Sequence, residues 1–310
     1  RWKWGLDRAL SSSSEMLAKK DRSGEPTVYI KARMNDKGVL PLTVWDDKQY
    51  SSTEYGANLL KKIFHATYFD YPKSLYAVID SLKIGNLDKD SIVLDFFSGS
   101  ATTAHAVMQL NAEDGGKRKY ICVQLPEETP EGSEARKAGY ATIPEIAKER
   151  IRRAGRKIKE ESPLTTQDLD TGFRVFRIDS GNYKDVTMQP NEYDQQMLDL
   201  FVDNIKADRT DLDLLFGAML AWGVQLSLPM TTEEVDGCKI YAVDGNGLVA
   251  CFAENISENV VQAMAAKQPL RVLFRDSCFD EDKTKINIFE RFKQQLDWDE
   301  KEAIQNIRVV

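Results

Sequence analysis

The residues best suited to chemistry lie in the stretch DFFSGSATT, which runs from Asp95 to Thr103. An apolar run, Ile92–Phe96, leads into it and a helical pattern follows it, so the small residues fall at the carboxyl end of a predicted strand. The N–H groups of Ser98–Thr103 are expected to be free to donate, and Gly99 and its small neighbours let a ligand approach the backbone closely. The predicted chemistry is therefore the binding of a small ligand by backbone amides.

Three ligands can be weighed against this loop. A nucleoside triphosphate requires a lysine and a hydroxyl residue after the glycines, and the loop has no lysine. A dinucleotide prefers G-x-G-x-x-G, and Gly99 is the one glycine of the loop. S-adenosylmethionine carries no phosphate, so one glycine suffices, and Asp95 can face its cationic groups. The residues favour this third ligand, while a tight strand–helix turn without a ligand stays open.

The elements around the loop form a predicted βαβ unit. A second apolar strand, Tyr120–Leu125, follows a helix that runs through Leu110. Upstream, residues 51–64 read as a helix, and Pro72 is expected to start another helix that stops at Gly85.

Residues 143–161 read as a strongly basic amphipathic helix. We expect its cations to form a solvated face, although contact with phosphates is the alternative; they are Arg150, Arg152, Arg153, Arg156 and Lys157. His105, on the helix after the loop, is expected to pack in the interior.

A polar linker over residues 162–171 separates this region from a part of the chain with a different order of predicted strands and helices. Strands are predicted at residues 172–179 and 269–276 and as a hairpin within 239–252, and helices at 193–206, 211–223 and 259–268. This pattern predicts a second, α+β domain from about Gly172 to the end.

The amino-acid composition excludes few classes of protein. The 310 residues carry a net charge of −7 and 42 % hydrophobic residues, which is ordinary for a globular protein and gives no global signal for nucleic acid. Four cysteines lie far apart without metal spacing, so we expect reduced thiols, a cytoplasmic protein and no metal site. No run has membrane length and no signal peptide is evident.

Several motifs in order resemble one family. VLDFFSGSATT is similar to motif I of amino-methylating DNA methyltransferases, typically DPF-x-GSGTT, with Phe96 in place of proline and Ala101 in place of the second glycine. The stretch TVWDDKQYSSTEYGANLLKKIF with FDYPKSL resembles the motif X region of type III restriction–modification Mod subunits. The segments DLLFGAMLAWGVQLSLP, GLVACF and PLRVLFRDSCFDEDKTKIN extend the resemblance over nearly the whole chain.

The resemblance implies a cofactor, S-adenosylmethionine, and the residues that bind it. Motif I implies contacts from Asp95, Phe97, Ser98, Gly99, Ser100, Thr102 and Thr103, and motif X implies closure over the methionine end by Tyr71, Pro72, Lys73 and Ser74. Many such enzymes end the second strand with an acid that accepts from the ribose. Gln124 stands in that region and can accept through its amide oxygen, with Glu127 as the alternative.

The implied fold class is α/β: a Rossmann-like adenosylmethionine-dependent methyltransferase sheet, incomplete because it lacks the catalytic half, followed by the smaller α+β domain. Residues 1–50 are then the tail of a target-recognition region, 51–161 the cofactor-binding part, and 172–310 a C-terminal assembly domain.

The motif that performs methyl transfer in this family, D/N-P-P-Y/F/W, is missing: the chain has ten prolines and none is adjacent to another. We therefore expect the C-terminal portion of a Mod-like protein that binds cofactor at best, contains no catalytic residue and cannot methylate alone. The family implies N6-adenine in double-stranded DNA as the target, a homodimer, and a Res subunit for translocation and cleavage. The alternative is a non-catalytic assembly or DNA-binding module with a structural Rossmann half.

Overall fold

The structure is a computed structural model that describes residues 4–31, 40–184, 204–279 and 282–310, with the backbone alone at 282–284. The chain divides into two compact units, Arg1–Phe173 and Arg174–Val310. The helix predicted over residues 193–206 lies for the most part outside the described residues.

The first unit begins with a helix and a hairpin and then builds a parallel strand pair between helices. Its elements are α1 Leu6–Ser11, β1 Met16–Lys20, β2 Pro26–Ile30, a π-helical segment Thr53–Asn58 that continues as α2 Leu59–Phe64, α3 Leu75–Ile84, β3 Ile92–Phe96, α4 Thr102–Asp114, β4 Lys119–Val123, α5 Glu134–Lys137 and α6 Ile143–Glu161. Strands β1 and β2 pair antiparallel, and β3 and β4 pair parallel.

The predicted βαβ unit is confirmed as β3–α4–β4. Helix α4 is buried on both sides because small residues face its neighbours. Ala104 and Met108 pack against Ile151 of α6, while Ala106 packs against Ile79 of α3. The strand face that carries Leu94, which is 55 % exposed, has no cover within the described unit. One βαβ unit is compatible with a Rossmann-like sheet, and the larger arrangement stays a prediction.

Helix α3 begins later than the sequence indicates. Ser74 has extended backbone angles and its Oγ accepts from the Ala77 amide, so Ser74 is the N-cap and Leu75 the first helical residue. Pro72 therefore precedes the helix instead of starting it. A cap made by a side chain outweighs the proline signal, since it pairs an amide that the helix leaves unsatisfied.

The second unit is a five-stranded mixed sheet between helices. Its elements are α7 Asp211–Ala221, β5 Met230–Val235, β6 Cys238–Val243, β7 Leu248–Cys251, α8 Glu258–Ala266, β8 Val272–Phe274, α9 Asp282–Leu296, α10 Glu300–Asn306 and β9 Ile307–Val309. The strand order follows the chain from β5 to β9; the first two pairings are antiparallel and the last two are parallel.

Alternation along the strands divides the core of this unit into two layers. Ile240 and Ala242 face α8, whereas Tyr241 and Val243 face α7. The hairpin predicted within 239–252 is confirmed as β6–β7. The parallel pairings through helical crossovers make this unit more α/β in character than the predicted α+β domain.

The strand predicted at residues 172–179 is wrong. No ladder forms there in the described chain, and Ile178 is almost fully exposed. The guanidinium of Arg174 instead donates to the carbonyls of Leu226 and Leu228. An alternating pattern makes a strand only when a neighbouring strand offers a free edge, and here the backbone is anchored by a side chain.

None of the helices in the described part of the chain combines the length and the hydropathy that crossing a bilayer requires. All four cysteines are free thiols.

Candidate ligand-binding loop

The turn between β3 and α4 has an unusual backbone. Phe97, Gly99 and Ala101 have φ angles of 63°, 52° and 59°, so every second residue is left-handed. A side chain in that region costs about 1–2 kcal/mol. Such strain persists only where the surroundings over-determine it, and it is found preferentially at ligand sites. Gly99 is also crowded, since a Cβ there would lie 3.2 Å from Cζ of Phe69.

Protein groups accept from the amides of three residues of the turn. The Ser98 amide donates to the Val123 carbonyl at 3.1 Å, and the Ala101 amide donates to the Ser98 carbonyl at 2.8 Å. The Gly99 amide donates to Oε1 of Gln124 at 2.7 Å. The expectation that all amides of Ser98–Thr103 are free is therefore wrong for these three, because a turn this tight satisfies part of its own backbone.

Three other residues of the turn keep their amides as free donors. In the described chain no group accepts from the amides of Ser100, Thr102 and Thr103, and α4 starts without a side-chain cap. The first amides of a helix lack intrahelical acceptors and lie at the positive end of the helix dipole. These three N–H groups can receive an anion or a carbonyl oxygen.

Asp95 lies on the other side of this corner, at the carboxyl end of β3. The Thr103 hydroxyl donates to its Oδ2 at 2.5 Å. Its second oxygen has no hydrogen-bond partner in the described residues. An ammonium or hydroxyl group of a ligand can therefore donate to it, beside donors that suit a carboxylate.

Arg150 lies beneath the loop and is 0 % exposed. Its Nη1 donates to Oγ of Ser100 at 2.8 Å and to Oγ1 of Thr102 at 2.7 Å. The prediction that this arginine belongs to a solvated face was wrong. A signal was available: Ile146, Arg150, Ala154 and Ile158 recur every four residues, which places the arginine on the apolar stripe of α6.

Burial determines the charges under the loop. It raises the pKa of the Cys122 thiol to about 11, with a smaller contribution from Asp95. It holds the pKa of His105 well below its ordinary value, and the charge of Arg150 adds to this effect. Burial lowers the pKa of Arg150 to about 9, so this group stays protonated at neutral pH. The interior here thus contains a neutral thiol, a neutral imidazole and one cation. The prediction that His105 is buried is confirmed.

The segment Tyr71–Ser74 divides into two kinds of residue. Tyr71 is 92 % exposed and has a left-handed backbone, and Lys73 is exposed as well. Pro72 and Ser74 are buried, and Oγ of Ser74 donates to the Gln49 carbonyl at 2.8 Å in addition to capping α3. Of these four residues, only Tyr71 and Lys73 thus have side chains that are accessible from solvent.

Two residues outside the predicted set shape this segment. A Cβ on Gly56 would lie 2.3 Å from the Pro72 carbonyl oxygen, so only glycine permits this approach of the backbone. The ring of Phe69 reaches Gly99, which brings the start of the segment to the loop. The contact between Gly56 and Pro72 joins residues that are distant in sequence, so the sequence pattern gave no sign of it.

Gln124 holds the loop through its amide oxygen, as described above. Its contact with a ribose stays a prediction. The second lone pair of the amide oxygen and the amide NH₂ are available for such a contact. Phe97 is 71 % exposed, so most of its ring is accessible to solvent.

Comparison with known sequences indicates which protein family this part of the chain resembles. Residues 8–135, which include the whole loop and the Tyr71–Ser74 segment, match the model of a family described as DNA methylase. The β3–α4 corner thus lies in a stretch with the sequence pattern of a DNA methylase.

Individual relatives narrow the resemblance. The chain is 40 % identical over 158 residues, 51 % of its length, to the Mod subunit of the type III restriction–modification enzyme StyLTI from Salmonella typhimurium. It is 30 % identical over 276 residues, 86 % of its length, to the EcoPI Mod subunit of Escherichia phage P1. It is 34 % identical over 152 residues, 49 % of its length, to the type II methyltransferase M.KpnI from Klebsiella pneumoniae. These matches confirm the resemblance to a Mod-type DNA methyltransferase.

The matches cover only part of each relative. The aligned region spans 23 % of the StyLTI subunit, 40 % of the EcoPI subunit and 35 % of M.KpnI. The chain therefore spans less than half the length of these relatives.

Proposed function

We propose that this chain binds S-adenosylmethionine and forms the C-terminal part of a site-specific DNA methyltransferase of a type III restriction–modification system. The observation that carries the proposal is the strained turn Phe97–Ala101, which leaves three amides unpaired at the start of α4 opposite a carboxylate. Backbone strain of this kind is found preferentially at ligand sites, where the surrounding structure holds the strained residues in place.

The donor set of the loop fits the amino-acid end of this cofactor. That end is a zwitterion, and the corner offers N–H and O–H donors for its carboxylate and the free oxygen of Asp95 for its ammonium group. When bound, the cofactor supplies a methyl group on a sulfonium centre. Lys73 and Tyr71 would close over the methionine end from their exposed segment, and the ring of Phe97 would cover the adjacent apolar surface.

Several of the predicted residues support the loop and would not contact the cofactor directly. Ser98 and Gly99 shape the turn, Gln124 anchors it, and Thr103 orients the Asp95 carboxylate. Pro72 and Ser74 support the exposed segment from below. Each of the twelve predicted residues thus has a role in binding, but only some of them would touch the cofactor.

Methyl transfer itself requires groups that this chain does not contain. With no adjacent prolines it contains no D/N-P-P-Y-type pocket for a flipped adenine. We propose that the chain alone does not methylate DNA. Incubation with double-stranded DNA and radiolabelled cofactor is expected to give no labelled DNA, and turnover by the purified chain would refute this point.

The partners follow from the resemblance. We propose that the whole protein methylates the N6 position of adenine in double-stranded DNA in the cytoplasm. It would act as a homodimer together with a Res subunit, with the second unit of this chain as the assembly domain.

Isothermal calorimetry of the chain with S-adenosylmethionine tests the cofactor proposal. Gly99→Val places a branched side chain on a left-handed backbone against Phe69, and we expect it to abolish the binding heat of the unchanged chain. Gly132→Val is the matched control, since Gly132 is also left-handed but a Cβ there meets nothing within 4 Å. Absence of heat with the unchanged chain would contradict the proposal.

That negative result would favour the alternative of a non-catalytic assembly or DNA-binding module. The observation on its side is that the protein itself already satisfies the amides of Ser98, Gly99 and Ala101.

A further inference from the structure

Arg150 is a buried cation with no buried anion beside it among the described residues. No carboxylate in the described residues pairs with it, and its Nε and Nη2 have no hydrogen-bond partner there. All of its hydrogen bonds run from Nη1 to the loop: to the two hydroxyls of Ser100 and Thr102, and at 3.4 Å to the Ser100 carbonyl. An arginine this buried ordinarily has an acidic partner, because removing the charge from water is costly.

The surroundings add to the positive potential. Thr102 is the first residue of α4, so the guanidinium contacts the positive end of that helix dipole. Two buried titratable groups of this region, Cys122 and His105, are neutral at pH 7 because of their burial. Asp95 lies at the rim, where it is engaged by Thr103. Positive charge is therefore concentrated on the side of the corner that holds Ser100 and Thr102, opposite the Asp95 carboxylate.

The two hydroxyls can carry this charge to the ligand side. Their oxygens accept from Arg150, so each O–H is left to donate, and no described group accepts from either. A hydroxyl that accepts from a cation is polarised and becomes a stronger donor. With the free amides of the same turn, these O–H groups form a donor set for one carboxylate.

We propose that Arg150 is a positioning residue that orients the Ser100 and Thr102 hydroxyls and provides the positive charge that selects the carboxylate of the methyl donor's amino-acid end. This inference rests on the proposed function, because it assumes that S-adenosylmethionine occupies the loop. Arg150 itself does not touch the ligand; it acts through the two hydroxyls.

Two ligands distinguish an effect of the Arg150 charge from an effect of Arg150 on the geometry of the loop. S-adenosylmethionine has the amino-acid carboxylate, whereas 5′-methylthioadenosine has the same nucleoside, carries a neutral thioether in place of the sulfonium and lacks the amino-acid part. Loss of loop geometry weakens both ligands, but loss of the charge weakens S-adenosylmethionine selectively. The ratio of the two dissociation constants therefore reports on the charge.

The variants are chosen to change one property at a time. Arg150→Gln keeps a side-chain donor to the hydroxyls and removes the charge, while Arg150→Lys keeps the charge and loses the planar fork. Thr102→Val removes one hydroxyl and keeps the arginine. Arg156→Met is the matched control, since it removes the same charge from an exposed position on α6. Thermal unfolding of each variant shows whether it is folded, and Arg150→Lys and Thr102→Val still decide the question if Arg150→Gln is not.

We expect Arg150→Gln to weaken S-adenosylmethionine binding by about 10–100-fold, because the two hydroxyls that donate to its carboxylate lose the charge that polarises them. Methylthioadenosine should lose less than about threefold in affinity, because it has no carboxylate for the two hydroxyls to bind. Arg150→Lys should restore the ligand ratio to within about threefold of the unchanged chain because the charge is retained. Thr102→Val should weaken mainly S-adenosylmethionine, and Arg156→Met should change neither ligand.

Equal weakening of both ligands by Arg150→Gln, or by Arg150→Lys and Thr102→Val when the glutamine variant is unfolded, would show a structural role only and overturn this inference. The proposed function would then still stand, since the unchanged chain binds. Failure of the unchanged chain to bind S-adenosylmethionine would instead overturn the proposed function and this inference together.

Discussion

Individual residues carry the strain of the candidate site. Ala101 stands where the resembling family typically has glycine, and its left-handed backbone costs about 1–2 kcal/mol relative to glycine. Its methyl group is fully buried in the cluster with Ala104 and Met108. Burying one methyl group contributes about 0.8 kcal/mol, which offsets part of that cost. The substitution of alanine for glycine is thus tolerated without loss of the turn.

His105 makes the stability of the first unit depend on pH. In the folded chain its pKa lies well below the ordinary 6.5, because of burial first and the charges of Arg150 and Lys157 second. Below about pH 6.5 the unfolded chain binds a proton that the folded chain does not, so stability falls as pH falls, by up to about 1.4 kcal/mol per pH unit. Urea unfolding at pH 7, 6 and 5 measures this slope.

The only other histidine provides the control for that slope. His105→Leu should reduce the loss of stability between pH 7 and pH 5, whereas His65→Asn, at an exposed left-handed helix end, should leave it unchanged. An equal slope in the His105→Leu variant and the unchanged chain would show that other groups cause the acid dependence.

At the scale of elements, α4 determines the geometry of the loop. Helices α3 and α6 pack on two sides of it, and β3 and β4 fix its ends through the loop and the following turn. Because α4 is buried on both sides, its first turn cannot shift without disturbing two hydrophobic clusters. The unpaired amides of the loop are therefore held in place by the protein itself, which would lower the entropy cost of the proposed binding.

Two neighbouring residues before α3 should have separable effects. Ser74→Ala removes the N-cap and the bond to the Gln49 carbonyl, so the free energy of unfolding should fall by about 1–2 kcal/mol. Lys73→Ala, at an exposed side chain, should change stability by less than about 0.5 kcal/mol but weaken S-adenosylmethionine binding. Chemical denaturation and calorimetry of both variants measure the two effects. A large loss of stability in Lys73→Ala, or none in Ser74→Ala, would contradict this assignment.

At the scale of the whole molecule, the chain consists of two units with separate cores. The second unit, Arg174–Val310, has hydrophobic layers on both faces of its own sheet. Such a unit meets the usual requirements for independent folding. The first unit contains the complete loop and all twelve residues predicted to bind cofactor.

Residues 174–310 should therefore unfold cooperatively when expressed alone. Differential scanning calorimetry is expected to show one transition for this piece. A version that ends at residue 306 lacks the edge strand β9 and its contact with β8, and should melt at a lower temperature. A broad, non-cooperative melt of residues 174–310 would show that the second unit depends on the rest of the chain.

The sequence predicted the parts of the fold that local patterns determine. An apolar run, a small-residue turn and a helix gave β3, the loop and α4, and nineteen residues of amphipathic period gave α6. The strand at residues 172–179 was wrong because a strand requires a partner edge, which a local pattern does not contain. The start of α3 was misplaced by three residues because a side-chain cap competed with a proline.

The sequence by itself thus predicted the position of the loop and the order of the motifs, because a strand–turn–helix of this kind depends on consecutive residues. Only the tertiary structure decided which amides of the loop remain free and where the charge of Arg150 lies. Arg150 and Ser100 are 50 residues apart, and Gln124 is 25 residues from Gly99. Contacts over such distances depend on how α4, α6 and β4 pack, and this packing is a property of the folded chain.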